Sequence, residues 1–509
     1  MGTEEGRTSI AQLVKNAIYS SGGWVINIGL VLVVTPYLVF KLGSEGYGVY
    51  SLLMGLLGYY NLADLGLGQS ITKYVAQYEA DENYAAINHS INAALITQVA
   101  IGTVVSVGVF GFSDSLLRLL RVSKDFRGSA EIGLYICGIS FLFQVVGSTL
   151  SSVLKGLQRY DLSSKLVVFT QTLKNIGIAG ALYFGGGLLG VVFAAGGSAV
   201  LLFFLNLVFV YRKLEGWSLL DGTSKAAVKE LFSFSFYLFI SRLANLFQNH
   251  IVRFVISFFL GPSAVTFYMV PHKVVNAGIG IMRRASGTLL PYASELGELN
   301  DKQQLQRTFV QGTKLMMSIA LPLFLLTILF SKPLMTVWMG VEFAEKTWPY
   351  LSLLAVDKIL SAFAMVPILL ALGMGHARVR AYFSLVAVIL YAALLPLLTS
   401  VFGLYGTVFA AIISALPGLV FAGYVGHKLI NYSVTSFAYK TVSIHVVPII
   451  FVGVVFLLGL NDVVPLSLWG LLISVPIGVL YIVLMYVTGW MPSVMQIRDS
   501  TIGSLCWET

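Results

Sequence analysis

Residues 231–260 form an apolar run long enough to cross a bilayer, yet they carry Arg242, Asn245, Asn249 and Arg253 at helical spacing. At about 100° per residue these four fall within one arc, a polar stripe on an otherwise apolar cylinder. An arginine at the centre of a membrane helix costs roughly 2.5–3.5 kcal/mol even on the lenient insertion scale. Two on one face point to a wet, protein-lined interior. Other apolar stretches hold Lys174, Lys273 beside His272, and Lys358 beside Asp357, while embedded acids are limited to Asp64 and Asp357. Five lipid-facing cations would cost on the order of 12–17 kcal/mol, comparable to the stability of a whole domain. Most must therefore face a shared hydrated cavity, whose surplus positive charge calls for an anion. A guanidinium offers phosphate oxygens a planar fork of donors, and an ammonium a mobile point charge.

Each of these residues also has a plainer use. Lys174 could snorkel or pair locally. Lys358 could neutralise Asp357, although helix neighbours diverge by about 100°, which makes a direct pair awkward. Lys273 could satisfy carbonyls freed by Pro271. His250 and His272 suit hydrogen-bonded packing as well as ion coupling. Asp64 and Asp357 are further candidates for carrying a proton or sodium ion, with a solvated helix terminus the plainer reading of Asp64. No cofactor is expected and no metal-ligand cluster is spaced along the chain; the two cysteines, Cys137 and Cys506, form no disulfide framework.

The elements that must position this chemistry are membrane helices. The chain has 509 residues, 57% hydrophobic and 11% charged, with a net charge of +9. Soluble domains carry about 25% charged residues, so this chain cannot cover a globule in water. The positive balance fits cytoplasmic loops and a basic interior better than nucleic acid. A window of about 20 residues places spans near 17–40, 47–68, 89–112, 131–152, 165–184, 188–211, 233–259, 265–289, 309–330, 348–371, 381–401, 405–426, 441–459 and 467–489. That is an all-α polytopic protein of about fourteen spans. Three turns, Gly185 to Gly187, Leu260 to Ala264 and Phe402–Gly403, are short enough to force helical hairpins. With both termini cytoplasmic, most loop Lys and Arg fall inside, as the positive-inside rule asks. The outer loop 113–130, with Arg118, Arg121, Lys124 and Arg127, goes against it and would suit an interfacial helix.

The chain also resembles itself. Residues Leu189 to Ala195 return as Tyr405 to Ala411, Leu42–Gly43 as Leu260–Gly261, and Gly156 to Arg159 as Gly375 to Arg378, at offsets of about 215–219 residues. A unit of six spans duplicated in the same orientation follows, with an axis along the membrane normal. The expected division is 1–215, 216–430, and two extra helices with a tail over 431–509. Only Pro36 precedes residue 260; the other thirteen prolines follow it, which would place rocking bends in the second bundle.

The segments Leu42-Gly43-Ser44-Glu45-Gly46-Tyr47-Gly48-Val49-Tyr50, Leu62-Ala63-Asp64-Leu65-Gly66-Leu67-Gly68 and Lys155-Gly156-Leu157-Gln158-Arg159-Tyr160 resemble the first half of Wzx-type polysaccharide flippases. These are members of the multidrug/oligosaccharidyl-lipid/polysaccharide (MOP) exporter superfamily. The resemblance implies V-shaped six-helix bundles and alternating access. It implies a polyprenyl-pyrophosphate-linked oligosaccharide as cargo, in the bacterial plasma membrane, with polymerase and chain-length machinery as partners. On this reading Arg242, Arg253, Lys273, Lys174 and Lys358 face the pyrophosphate, and Asn245 and Asn249 the sugar or phosphate.

Three rival classes fit the sequence less well. A polymerase, ligase or glycosyltransferase would need a sizeable extramembrane domain, and the chain has no such loop, no DxD pair, no H-E-x-x-H and no P-loop. A multidrug exporter of the same superfamily would bind cations and should bury carboxylates, the opposite balance. A major-facilitator porter would carry a Gly- and Arg-rich signature after its second span, missing from 69–88.

Overall fold

The computed structural model describes residues 10–59, 63–214, 217, 218, 223, 250–287, 289–299, 301–457 and 480. Most of the predicted span 233–259, and all but Leu480 of 467–489, lie outside the described residues. Among those described, all regular structure is helical, and seven helices are long and apolar enough to cross a membrane. By contacts the chain divides into two compact units, Met1–Thr266 and Phe267–Thr509.

The first unit contains α1 (Ile10–Gly58), α2 (Leu67–Ala80), α3 (Tyr84–Gly111), α4 (Ser113–Leu119), α5 (Lys124–Gly156), α6 (Tyr160–Tyr183), α7 (Gly187–Lys213) and α8 (His250–Leu260). Helix α1 is two helices meeting at Gly43, whose φ of 71° and ψ of 174° break the hydrogen-bond ladder. The break falls in the gap between the predicted spans 17–40 and 47–68. The second helix stops at Gly58, not at 68 as expected. Instead Leu65 (φ 48°) and Gly66 (φ 85°) turn the chain into the separate helix α2, placed in a loop by the sequence reading. Its sequence, with Gln69, Thr72, Lys73, Gln77 and Glu79, is too polar for a hydropathy window to register.

Helix α5 is the axis of this unit, packing against α3, α7 and α2. Its buried residues Leu150, Val153 and Leu154 join Ile71, Ile87, Ile91 and Trp217 in one apolar cluster. Polar side chains tie neighbouring helices through backbone carbonyls, the glue available where water is scarce. Ser106 Oγ donates to Gly138 O (2.7 Å), Asn206 Nδ2 to Gly147 O (3.1 Å) and Thr72 Oγ1 to Ser152 O (3.1 Å). Outward-facing positions stay apolar, with Phe40 82% and Phe193 69% exposed, as a lipid-facing surface requires.

The basic loop 113–130 finds a structural use. Arg118 pairs with Asp114 on α4, and Arg127 approaches the same carboxylate at 3.9 Å. Arg121 Nη1 donates to Phe259 O (2.9 Å), capping the C-terminal end of α8, while Ser257 Oγ donates to Leu120 O (2.6 Å). The loop therefore anchors the C-terminal end of α8.

The second unit contains most of α9 (Pro262–Ala285), then α10 (Leu289–Glu298), α11 (Lys302–Leu329), α12 (Ser331–Met339), α13 (Val341–Gly373), α14 (Ala377–Tyr424) and α15 (Val434–Leu457), with a π-helical turn at Val425–Leu429. Helix α13 is central, packing against α10, α11, α12 and α14. Helix α14 is again two helices, broken at Gly403 (φ 59°, ψ −138°). Thr399 and Thr407 hydroxyls meet at 2.9 Å across the break, so the chain reverses there as the predicted hairpin demands. Prolines 271, 322, 349, 367, 396 and 417 all lie within helices of this half.

Candidate functional site

The first unit encloses a cavity of about 740 Å³. Its walls are Tyr50, Met54, Leu57 and Gly58 from α1, Asp64, and Gly68, Gln69 and Thr72 from α2. Gln144, Gly147, Ser148, Ser151, Ser152 and Lys155 come from α5, Val167, Thr170, Gln171 and Lys174 from α6, and Ala195, Ser198, Ala199 and Leu202 from α7. The α5 residues recur at three- and four-residue steps, which puts them on one face. The same holds for 167, 170, 171 and 174 on α6.

Lys174 is one of the cations singled out from sequence, and it lines this cavity, half-buried, donating to Gln171 Oε1 one turn back. Lys155 sits in the last turn of α5, where the helix dipole also favours a cation. Against these two ammonium groups the described lining has one carboxylate, Asp64. Asp64 is only 5% exposed; Oδ1 accepts from Gly68 N (3.1 Å) and from Gln98 Nε2 (3.4 Å). It is a helix-terminal carboxylate, buried by the tight turn at Leu65–Gly66 where a solvated one was expected.

Arg253 projects onto the second helix of α1. Its Nη1 donates to Ser51 O (3.0 Å), and its stem lies so close to Gly55 that a Cβ there would come within 2.5 Å of Arg253 Cδ. Tyr47, Tyr50 and Tyr59 lie near the guanidinium, and its Nε, buried, has no hydrogen-bond partner among the described residues. His250, one turn away, packs its ring on Tyr59 at 5.7 Å. Neither Arg253 nor His250 is among the described lining residues. Arg242, Asn245 and Asn249 lie outside the described residues, so the stripe is seen only at its Arg253 end.

The remaining candidates belong to the second unit. Lys358 Nζ sits 2.6 Å from Asp357 Oδ2, with side chains 16% and 9% exposed. The direct pair, awkward for helix neighbours, does form, so the plainer use of Lys358 is the one seen: the four-carbon lysine stem is long enough to curl back through the 100° between them. Tyr268 and Tyr391, hydrogen-bonded and almost fully buried, lie near the same carboxylate. His272 and Lys273 are half-buried on α9, the imidazole stacked on Tyr268 at 5.5 Å with Asn276 Nδ2 3.0 Å from its Nδ1. Among the described residues no cluster of His, Cys, Asp and Glu could hold a metal ion.

Sequence reasoning missed most of the cavity wall. It followed charges, whereas most of the wall's polar residues are glutamine, serine and threonine. The signal was present as the Gln144, Ser148, Ser151, Lys155 period on an otherwise apolar helix.

Apolar exteriors and several membrane-length helices define a polytopic membrane protein, with a cavity lined in part by polar groups in its first unit. The chain belongs to the polysaccharide biosynthesis protein family, whose model matches residues 13–297, more than half its length. It is 22% identical over 404 residues to a Shigella flexneri protein named as an O-antigen transporter, covering 77% of this chain and 93% of that one. It is 23% identical over 470 residues to a Haloferax volcanii protein named as a low-salt glycan biosynthesis flippase, covering 90% and 93%. The fold is shared with the lipid II flippase MurJ in an inward closed conformation (TM-score 0.72, 14% identity, 95% of this chain and 99% of that one). It is also shared with an inward-facing multidrug resistance transporter of the MATE family (TM-score 0.68, 15% identity, 77% and 93%). These relatives are named as transporters and flippases, not as enzymes, and the resemblance to Wzx-type flippases holds.

Proposed function

We propose that this protein moves a polyprenyl-pyrophosphate-linked oligosaccharide from the inner to the outer leaflet of a bacterial plasma membrane, for surface polysaccharide assembly. The observation that carries the proposal is the cavity of the first unit: membrane helices line a 740 Å³ space with two lysines, three glutamines and several hydroxyls. Its polar groups would solvate a sugar-phosphate headgroup. The relatives named for O-antigen transport and glycan biosynthesis support the same cargo class.

In this account the pyrophosphate meets Lys174 together with Arg242, Arg253, Lys273 and Lys358, and Asn245 and Asn249 bond sugar or phosphate. The prenyl tail stays in lipid. The account has fourteen spans arranged as two parallel six-helix repeats plus two, with both termini cytoplasmic. The matching left-handed glycines support the repeat, Gly43 with Gly261 and Gly187 with Gly403. Asp64, Asp357, His250 and His272 are the candidates for ion coupling, and polymerase and chain-length proteins the expected partners.

The MATE-like fold favours a second reading, export of small molecules. One experiment separates them. Expressed in a strain lacking its own flippase, the chain should restore surface polysaccharide, and Arg242→Ala or Arg253→Ala should abolish that restoration at unchanged protein level. Failure of the wild type to restore any glycan, together with raised drug tolerance, would overturn the proposal.

A further inference from the structure

Resting on the flippase reading above, we infer that the first bundle reads the glycan itself: the α5 row Gln144, Ser148, Ser151 and Lys155, with Lys174 of α6, takes a sugar chain that bears an anionic group. The shape argues first. From Gln144 to Lys155 the row climbs about 16 Å at 1.5 Å per residue. A single phosphate needs one concave point, whereas an extended polar row with a cavity of 740 Å³ beside it fits several linked sugar rings.

The hydrogen-bonding capacity argues second. Ser148 Oγ donates to Val145 O (2.7 Å), Ser152 Oγ to Ser148 O (3.0 Å), Thr170 Oγ1 to Leu166 O (2.9 Å) and Ser198 Oγ to Ala195 O (2.7 Å). With each O–H committed to a helix carbonyl, the lone pairs left facing the cavity are acceptors. They suit the O–H donors of a sugar. Among the described residues the Gln144 carboxamide has no hydrogen-bond partner, so it brings both donor and acceptor to the row. Lys155 has no ion-pair partner among them either, and the described lining holds two ammonium groups, Lys155 and Lys174, against the one carboxylate of Asp64. Neutral sugars alone would not require that charge. The anion has two chemical sources, the pyrophosphate linkage or an acidic sugar such as a uronate.

The test uses two flippase-deficient hosts, one assembling a neutral repeat unit and one a uronate-containing unit, each complemented by the full chain. Surface polysaccharide is measured for wild type, Lys155→Gln, Lys174→Gln and Gln144→Leu at matched membrane protein levels. Each lysine variant should lower export by roughly tenfold or more, the loss of one charge-assisted hydrogen bond, and Gln144→Leu by severalfold. Loss confined to the acidic glycan places the anion on the sugar; loss in both hosts places it on the linkage. Lys155→Arg should restore export, and a deficit as deep as that of Lys155→Gln would count against a charge-based role. If the wild type restores export and all three variants match it in every restored host, the inference is wrong while the flippase reading stands. If the wild type restores neither host, the flippase reading itself fails.

Discussion

Replacing Gly48 by alanine tests how the turn after α8 is seated on α1. A Cβ at Gly48 would lie 1.9 Å from Pro262 O and 2.5 Å from Pro262 C, where ordinary contact begins at 3.4 Å. Both colliding atoms are backbone, so no rotamer change relieves them; the turn after α8 must withdraw by about 1.5 Å. That withdrawal pulls on Thr266 Oγ1→Ser44 O (2.5 Å) and Arg253 Nη1→Ser51 O (3.0 Å). Helix propensity alone would favour alanine over glycine by about 1 kcal/mol. Against it stand overpacking of about 1–3 kcal/mol and two strained hydrogen bonds at about 1 kcal/mol each. The net is a loss of about 2–4 kcal/mol. Gly29→Ala, with nothing within 4 Å of its Cβ, is the control and should be neutral or slightly stabilising. Denaturant titration of the purified protein in one detergent reads the difference. Equal midpoints for the two variants would refute the close approach of Pro262 to α1.

Breaking the Asp357–Lys358 pair with Lys358→Gln leaves a carboxylate only 9% exposed without its cation and should destabilise the protein by about 3 kcal/mol. The double variant Asp357→Asn/Lys358→Gln should recover most of that loss, and thermal unfolding of the three proteins checks it. The Arg118 guanidinium holds the Asp114 carboxyl below the usual carboxylate range, with Arg127 adding a smaller pull. A depressed carboxylate stabilises the fold above its ordinary pKa and ceases to do so as pH falls through the depressed value. The difference between wild type and Asp114→Asn should therefore be small but present at neutral pH, begin to fade near the ordinary carboxylate pKa of about 4, and vanish only below the depressed value, measured by unfolding midpoints across pH. Arg121→Ala removes the cap on Phe259 O and should loosen α8, seen as faster amide exchange at 257–260 with little change in α5.

Much of the helical frame was legible because hydropathy and glycine are strong, local signals. Gly403 and Gly187 adopt the left-handed conformations that the short turns call for, and the reversals follow. Charged residues in apolar runs were equally visible, and Lys174 does line a cavity. The remainder was hidden for identifiable reasons. Serine and threonine bonded to their own helix carbonyls barely alter hydropathy, so the α5 row reads as an ordinary span. Helix α2 is too polar for a span and too short for a strong period, and depends on the Leu65–Gly66 turn to begin. Arg253 shows that an intramembrane cation can spend one donor on a backbone carbonyl of a neighbouring helix, a partner that spacing along the chain cannot reveal. Lys358 finds its partner on the adjacent residue, where helix geometry argues against one.

The most direct measurement is translocation itself. The purified chain would be reconstituted into liposomes carrying a fluorescent, short-chain polyprenyl-pyrophosphate oligosaccharide, with an impermeant quencher added outside. Flipping predicts that the protected fraction, close to one half in protein-free vesicles, becomes accessible to quencher over time in proportion to protein content. A protected fraction that stays constant with active, folded protein in the membrane would contradict the account.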